Sequence, residues 1–358
     1  MTAMCGCRQH LRGISHNKYS VPRKMPVLYL TVISSMFRSL RRLVFSSLCL
    51  VSAISTAQAE VVVVLNSRDA TVQLLDQKTY APLSTFAVGK EPHHLMETPD
   101  GKSLIVASSV GNELIFLDPV SGQIQRRISN ILDPYQIGFS PDQKWFISNS
   151  LRLDRIDLYR YDGKNLTLAK RIPLPKLPSH MAFTADSTMA FITQQGSNQV
   201  SAIDLATQTV KWTMPVGPAP AGITMTPDGK HLLVGIMGSD YVEVIDWRTQ
   251  KTVKRIKAGA GTHNFRALGD NRMTFVSNRV SNTINIIDQK TLENVGTINV
   301  PGGPDCMEIT PDGKTMWVTL RWIKKVAVID LTTRKVIKTI PVGRSPHGVY
   351  FATHSPRM

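Results

Sequence analysis

The chain has 358 residues, 42% of them hydrophobic, with 23 glycines, 21 prolines and a formal net charge of +16. That apolar share excludes a disordered chain, and four cysteines are too few for a disulfide scaffold. Residues 1–59 hold eight Lys and Arg and no acid, so the remainder carries 34 basic against 26 acidic residues, a net of +8, too thinly spread for the basic stripe of a dedicated nucleic-acid binder.

Residues 1–35 show no strand pattern, and read either as a basic leader or as the product of a mis-assigned start, with Met36 the true one. Residues 36–60, MFRSLRRLVFSSLCLVSAISTAQAE, place three arginines before an apolar stretch that ends in Ala57-Gln58-Ala59. This is the layout of a secretory signal peptide cleaved before Glu60, too short to be a membrane span. The expected location is periplasmic or secreted, with no transmembrane span in the mature chain. Arg41-Arg42 hints at twin-arginine export, although the residues after the pair fit that pattern poorly. Of the cysteines only Cys306 lies in the mature part, and there is no CxxCH, which excludes an internal disulfide and covalent c-type haem.

From Val61 onward an aspartate closes a short apolar run at Asp76, Asp118, Asp162, Asp204, Asp246, Asp288 and Asp330, with gaps of 42, 44, 42, 42, 42 and 42 residues. A period in that range is the length of one four-stranded propeller blade. The unit is plainest at HHLMET, turn PDGK, SLIVASS, turn, ELIFLD, turn, QIQRRIS. The PDG turn recurs after Thr98, Thr226 and Thr310 and as SPDQK at Ser140; Pro presets φ, Asp bonds back to the backbone and Gly takes the positive φ. The array opens with second-strand sequence, VVVVLNS, and closes with a first strand, HGVYFAT. One blade must therefore be shared by both ends. The expectation is an all-β, seven-bladed β-propeller over residues 60–358, closed by its N- and C-terminal strands and monomeric.

A second column, the residue that opens each inner strand, runs His93, Tyr135, His180, Ala221, His263, Asp305 and His347. Inner strands line the central channel, so this column predicts a ring with four imidazoles, while His94, His231 and His354 fall outside it. The turns between second and third strands lie on the same face. They bring Arg68, Arg152, Arg279 and Arg321 with Asn66, Asn149, Gln195 and Asn278 to one mouth.

Stretches such as PAGITMTPDGKHLLVGIMGSDYVEVIDWRTQKTVKRI and PDCMEITPDGKTMWVTLRWIKKVAVIDLTTRKVIKTIPVG resemble the YVTN-type β-propeller repeat family, which includes YncE-like periplasmic proteins. More distantly the pattern is similar to the cytochrome d1 and nitrous oxide reductase propellers. The resemblance implies a secreted seven-bladed scaffold whose relatives in some cases hold ligands or cofactors at the central funnel.

Three readings of the mouth follow. In the first, an unknown small molecule or protein partner, anionic in character, binds His93, Tyr135, His180, His263, Asp305, His347, Arg68, Arg152, Arg279 and Arg321, the guanidinium forks supplying bidentate donors. In the second, His93 and His347, adjacent across the clasp, ligate a transition metal or a haem in an oxidoreductase or cofactor-handling protein, ring positions two blades apart being too distant to share an ion. In the third, each Pro-His merely begins a strand and its imidazole bonds a neighbouring blade's carbonyl. No cofactor is required by any motif, and GxSxG, P-loop and HExxH patterns are missing from the sequence. Nucleic-acid binding rests on the net +8 alone.

Overall fold

The computed structural model describes residues 60–357; the expected leader and signal peptide, residues 1–59, lie outside the described residues. These residues form 28 strands in seven four-stranded antiparallel sheets, with two short 3-10 turns at Ser67–Asp69 and Leu151–Leu153. The fold is a seven-bladed β-propeller. No helix among the described residues is long and apolar enough to cross a membrane.

The clasp is as expected. The sheet order β28-β1-β2-β3 joins Pro346–Phe351 (β28) to Val61–Asn66 (β1), Thr71–Asp76 (β2) and Pro82–Ala87 (β3). Val62 pairs with Phe351 and Val64 with Val349, so the first and last strands leave no unpaired seam.

Burial follows position in the blade. Second and third strands are covered on both faces by neighbouring blades, so Leu104–Ser108 and Glu113–Leu117 are almost wholly buried and read as continuous apolar runs. Outer strands such as Ile124–Ser129 are mostly exposed and carry charge. All seven repeat aspartates accept backbone N–H bonds from the turn that follows, as Asp76 Oδ1 does from Lys78 (2.9 Å) and Thr79 (2.7 Å), and Asp330 Oδ1 from Thr332 and Thr333. In the PDG turns Thr98 Oγ1 donates to Asp100 (2.7 Å) and accepts from the Ser103 N–H (3.0 Å), while Gly101 sits at φ +66°. In the SPDQK variant Gln143 accepts the same left-handed conformation at φ +62°.

The seven inner strands are β4 (Pro92–Glu97), β8 (Pro134–Phe139), β12 (Pro178–Phe183), β16 (Pro220–Met225), β20 (Thr262–Ala267), β24 (Pro304–Ile309) and β28. Each carries a register shift just after its first residue. In β4, Pro92 pairs with Ser108 and Leu95 with Val106, three residues against two, which is a one-residue β-bulge. The same shift recurs in the other six.

The fourth inner strand carries the smallest side chains of the ring. Ala221 and Gly222 let the neighbouring strand close in, and a Cβ at Gly222 would stand 2.0 Å from the His263 carbonyl oxygen. Gly222→Val is therefore expected to cost about 3 kcal/mol by overpacking against fixed backbone, read as a fall in Tm. Gly229→Ala, with φ +67° and open space at its Cβ, should cost about 1 kcal/mol from backbone strain alone.

Candidate functional site

The inner-strand bulges bring a second residue towards the axis beside the first in several blades. The first set is the predicted ring: His93, His180, Ala221, His263, Asp305 and His347 are buried and Tyr135 is half-buried. The second set was missed by strict two-residue alternation. It begins with His94, which lies inside the hub and not outside the ring as the sequence reading had it. With Gln136, Asn264, Cys306 and Gly348 it lines a cavity of about 230 Å³ along the channel.

The imidazoles touch one another. His93 stacks on His347 with ring centroids 3.8 Å apart and on Tyr135 at 4.1 Å, and His94 meets His347 edge-on at 4.7 Å and His180 at 5.2 Å. His180 and His263, two blades apart, are also edge-on at 5.2 Å. Ring positions two blades apart thus come into contact where the intervening residue is Ala221, while the ligand atoms close enough to share an ion come from adjacent blades.

Hydrogen bonds fix the rings. His94 Nδ1 bonds the Tyr135 carbonyl at 2.8 Å and His347 Nδ1 the His93 carbonyl at 2.6 Å, each reaching into the next blade. This contact to a neighbouring carbonyl was the third sequence reading, and it occupies only one nitrogen per ring. His93 Nδ1 lies 2.8 Å from His94 Nδ1.

Asp305 is the one acid of the ring. Its carboxylate accepts from Arg279 at 2.6 Å and from Asn264 at 3.1 Å, with Arg321 and His347 Nε2 each at 3.5 Å. His263 Nδ1 lies 3.1 Å away, close enough for an ion pair but not aligned for a hydrogen bond. Burial alone would raise the Asp305 carboxyl, but Arg279, then His347 and His263, bring it well below the ordinary carboxylate range. Burial drives the imidazoles the other way, lowering His94 and His263 to about 4 and His93, His180 and His347 well below their usual value. Burial, then Asp305, raises the Cys306 thiol far up, so it stays protonated.

The predicted arginines divide. Arg279 and Arg321 reach the hub and are engaged with Asp305, whereas Arg152 pairs with Asp133 at 2.5 Å and Glu91 at 3.2 Å on the rim, and Arg68 stands exposed. Asn66, Asn149 and Asn278 are buried structural groups, Asn149 donating to the Ser179 carbonyl at 2.9 Å.

At the other end of the channel residues 354–357 fold back across the opening. The Ser355 N–H donates to the Ile309 carbonyl at 2.9 Å, Arg266 donates to Ser355 and Pro356 carbonyls at 2.7 and 2.9 Å, and Arg357 donates to Glu308 at 2.5 Å.

Compared with known proteins, the chain matches the family model of YNCE-like beta-propellers over residues 21–357. No curated protein matches it. Among solved structures it is similar to NirN, described as a dihydro-heme d1 dehydrogenase in complex with DHE, at 17% identity and TM-score 0.62, covering 82% of this chain and 76% of that one. It is similar to the hydrazine synthase of Kuenenia stuttgartiensis at 18% identity and TM-score 0.60, covering 73% and 90%. A functionally unknown protein from Desulfotomaculum acetoxidans DSM 771 gives 13% identity and TM-score 0.71, covering 83% and 100%. At these identities the likeness is one of fold.

The depressed imidazoles dictate an acid response. A histidine whose folded pKa lies below its unfolded value, as for His94 and His263 at about 4 against 6.5, leaves the unfolded chain binding more protons between those pH values. Stability is then fully present above about pH 7 and falls as pH drops through 6.5 towards 4, by several kcal/mol for the set. Tm should be flat above pH 7 and decline steadily below 6.5, and the decline should be shallower in a His94→Gln/His263→Gln variant.

Proposed function

The chain belongs to the YNCE-like β-propeller family, and from that premise we propose that it is an exported binding scaffold whose partner is an acidic protein surface carrying apolar side chains, seated on the face around the hub mouth. The distribution of exposed apolar side chains carries this reading. Val110, Leu132, Leu153, Leu177, Val280, Trp322 and Ile323 all stand exposed on loops of that face, while the loops of the opposite face contribute Val120. Trp322, 55% exposed, lies over Gly303, where a Cβ would meet the indole at 2.6 Å. An exposed aromatic on a loop is a common anchor of a protein interface.

Charge supports an acidic partner. On the same face Arg344 is paired with Asp69 and Arg152 with Asp133, but Arg68, Lys90, Lys176 and Lys324 make no ion pair among the described residues. Of the four guanidinium groups expected to meet an anionic ligand at the mouth, Arg279 and Arg321 are held by Asp305. Attraction for an anion therefore lies on the rim, where it steers association more than it adds affinity.

A second reading, a protein that handles a metal or cofactor, is favoured by the buried imidazoles. A cavity of about 230 Å³ is smaller than the roughly 300 Å³ at which sites for drug-sized ligands begin. A tetrapyrrole of the kind named for NirN would have to lie on the mouth and not within the hub.

Site-specific photo-crosslinking in cells tests the partner. A photoreactive residue at Val280 or Trp322 should yield discrete protein adducts, while the same residue at Val253 or Ile337, 51% and 54% exposed on outer strands, should not. Equal labelling from all four positions, or none from the mouth, would overturn the assignment.

A further inference from the structure

The hub is unusual less for its number of imidazoles than for which nitrogens they leave over. His94 Nδ1 and His347 Nδ1 each face a backbone carbonyl, at 2.8 and 2.6 Å. A carbonyl only accepts, so both Nδ1 atoms carry the proton, and in a neutral ring Nε2 is then a bare lone pair. His180 reaches the same state through a relay. Thr193 Oγ1 donates to the Ala221 carbonyl (2.7 Å), Ser179 Oγ donates to Thr193 Oγ1 (3.0 Å), and His180 Nδ1 donates to Ser179 Oγ (3.1 Å). Nε2 of His94, His180 and His347 is buried and makes no hydrogen bond in the protein, the His347 atom standing 3.5 Å from Asp305.

A buried acceptor without a donor costs about 1–3 kcal/mol. The hub holds three of them, and Nδ1 tethered to a carbonyl or hydroxyl with Nε2 left over is the arrangement that orients histidine ligands. The fold also brings ligand atoms within reach of one another: one nitrogen each from His93, His94 and His347 lie within 4.8 Å, and a second group, Asp305, Cys306 and His347, shares His347. The second group is already compensated by Arg279 and Arg321, which would repel a cation. The first consists of uncharged imidazoles, with the Asp305 carboxylate 3.5 Å from His347 Nε2.

We propose that His93, His94 and His347 form a transition-metal site in the hub, for a late first-row ion that favours imidazole, copper or zinc. Cys306 Sγ, 3.5 Å from His347 Nδ1, borders the site as a neighbouring soft group. The cavity lined by His94 and Cys306 leads from it to Arg357, so ions reach the hub from the channel end crossed by residues 354–357. This site is independent of the partner surface on the mouth.

The test is titration of the untagged mature chain with Zn²⁺ and with Cu²⁺ against a chromophoric chelator, with X-ray absorption at the metal edge. One equivalent should bind with nitrogen ligands dominant. His94→Gln should weaken it at least 100-fold while His231→Gln, outside the hub, leaves it unchanged, and metal should raise Tm of the parent but not of His94→Gln. Absence of a stoichiometric site in the parent chain overturns the proposal without reference to any variant. So does binding that His94→Gln and His93→Gln leave intact, which would place the ion on the surface.

Discussion

Seven inner strands converge on one axis, and the narrowness of the space between them governs the hub. Most side chains there are shut off from water, so their polar atoms must find a partner within the ring or remain unpaired. Where a blade supplies only Ala221 and Gly222, the next strand moves in and His263 comes against His180. Where it supplies imidazoles, they stack, as His93 does on His347.

The bulge repeated in each inner strand explains why this space is polar. It frees backbone carbonyls from the sheet ladder, and a buried carbonyl needs a donor. His347 serves the His93 carbonyl, His94 that of Tyr135, Thr193 that of Ala221 and Thr319 that of His347. Histidine and threonine are donors small enough for the site. Histidine differs in having a second nitrogen, and the two roles, structural at Nδ1 and ligating at Nε2, do not compete. Asp305 is the exception in charge; its carboxylate is tolerable only because Arg279 and Asn264 donate directly to it.

Much of this was legible in the sequence because it is local. The spacing of the aspartates, the PDG turns and the mismatch between the opening VVVVLNS and the closing HGVYFAT encode blades, turns and clasp within short windows. The ring from His93 to His347 followed from the same period. His94 was not legible, since alternation assigns neighbours to opposite faces and only a bulge turns both inward. The meeting of His180 with His263 depends on what Ala221 lacks across a gap of two blades. Equally, nothing local distinguishes Arg279, drawn in by Asp305, from Arg68, which stays in solvent.

The segment 354–357 gives the ring a second fastening of another kind. The clasp between β1 and β28 is a ladder of backbone bonds, indifferent to ionic strength. The strap beyond it lies on the neighbouring blades through Arg266, Glu308, Arg357 and the pairing of His354 with Glu97. A pull applied to the C-terminal end is met first by these contacts, spread over blades whose strands start at Pro92, Thr262 and Pro304, before any load falls on the strand that closes the circle. The fastening that takes first strain is thus one of side-chain ion pairs, with Arg266–Glu308 buried and shielded from dissolved salt, and its loss leaves the circle closed.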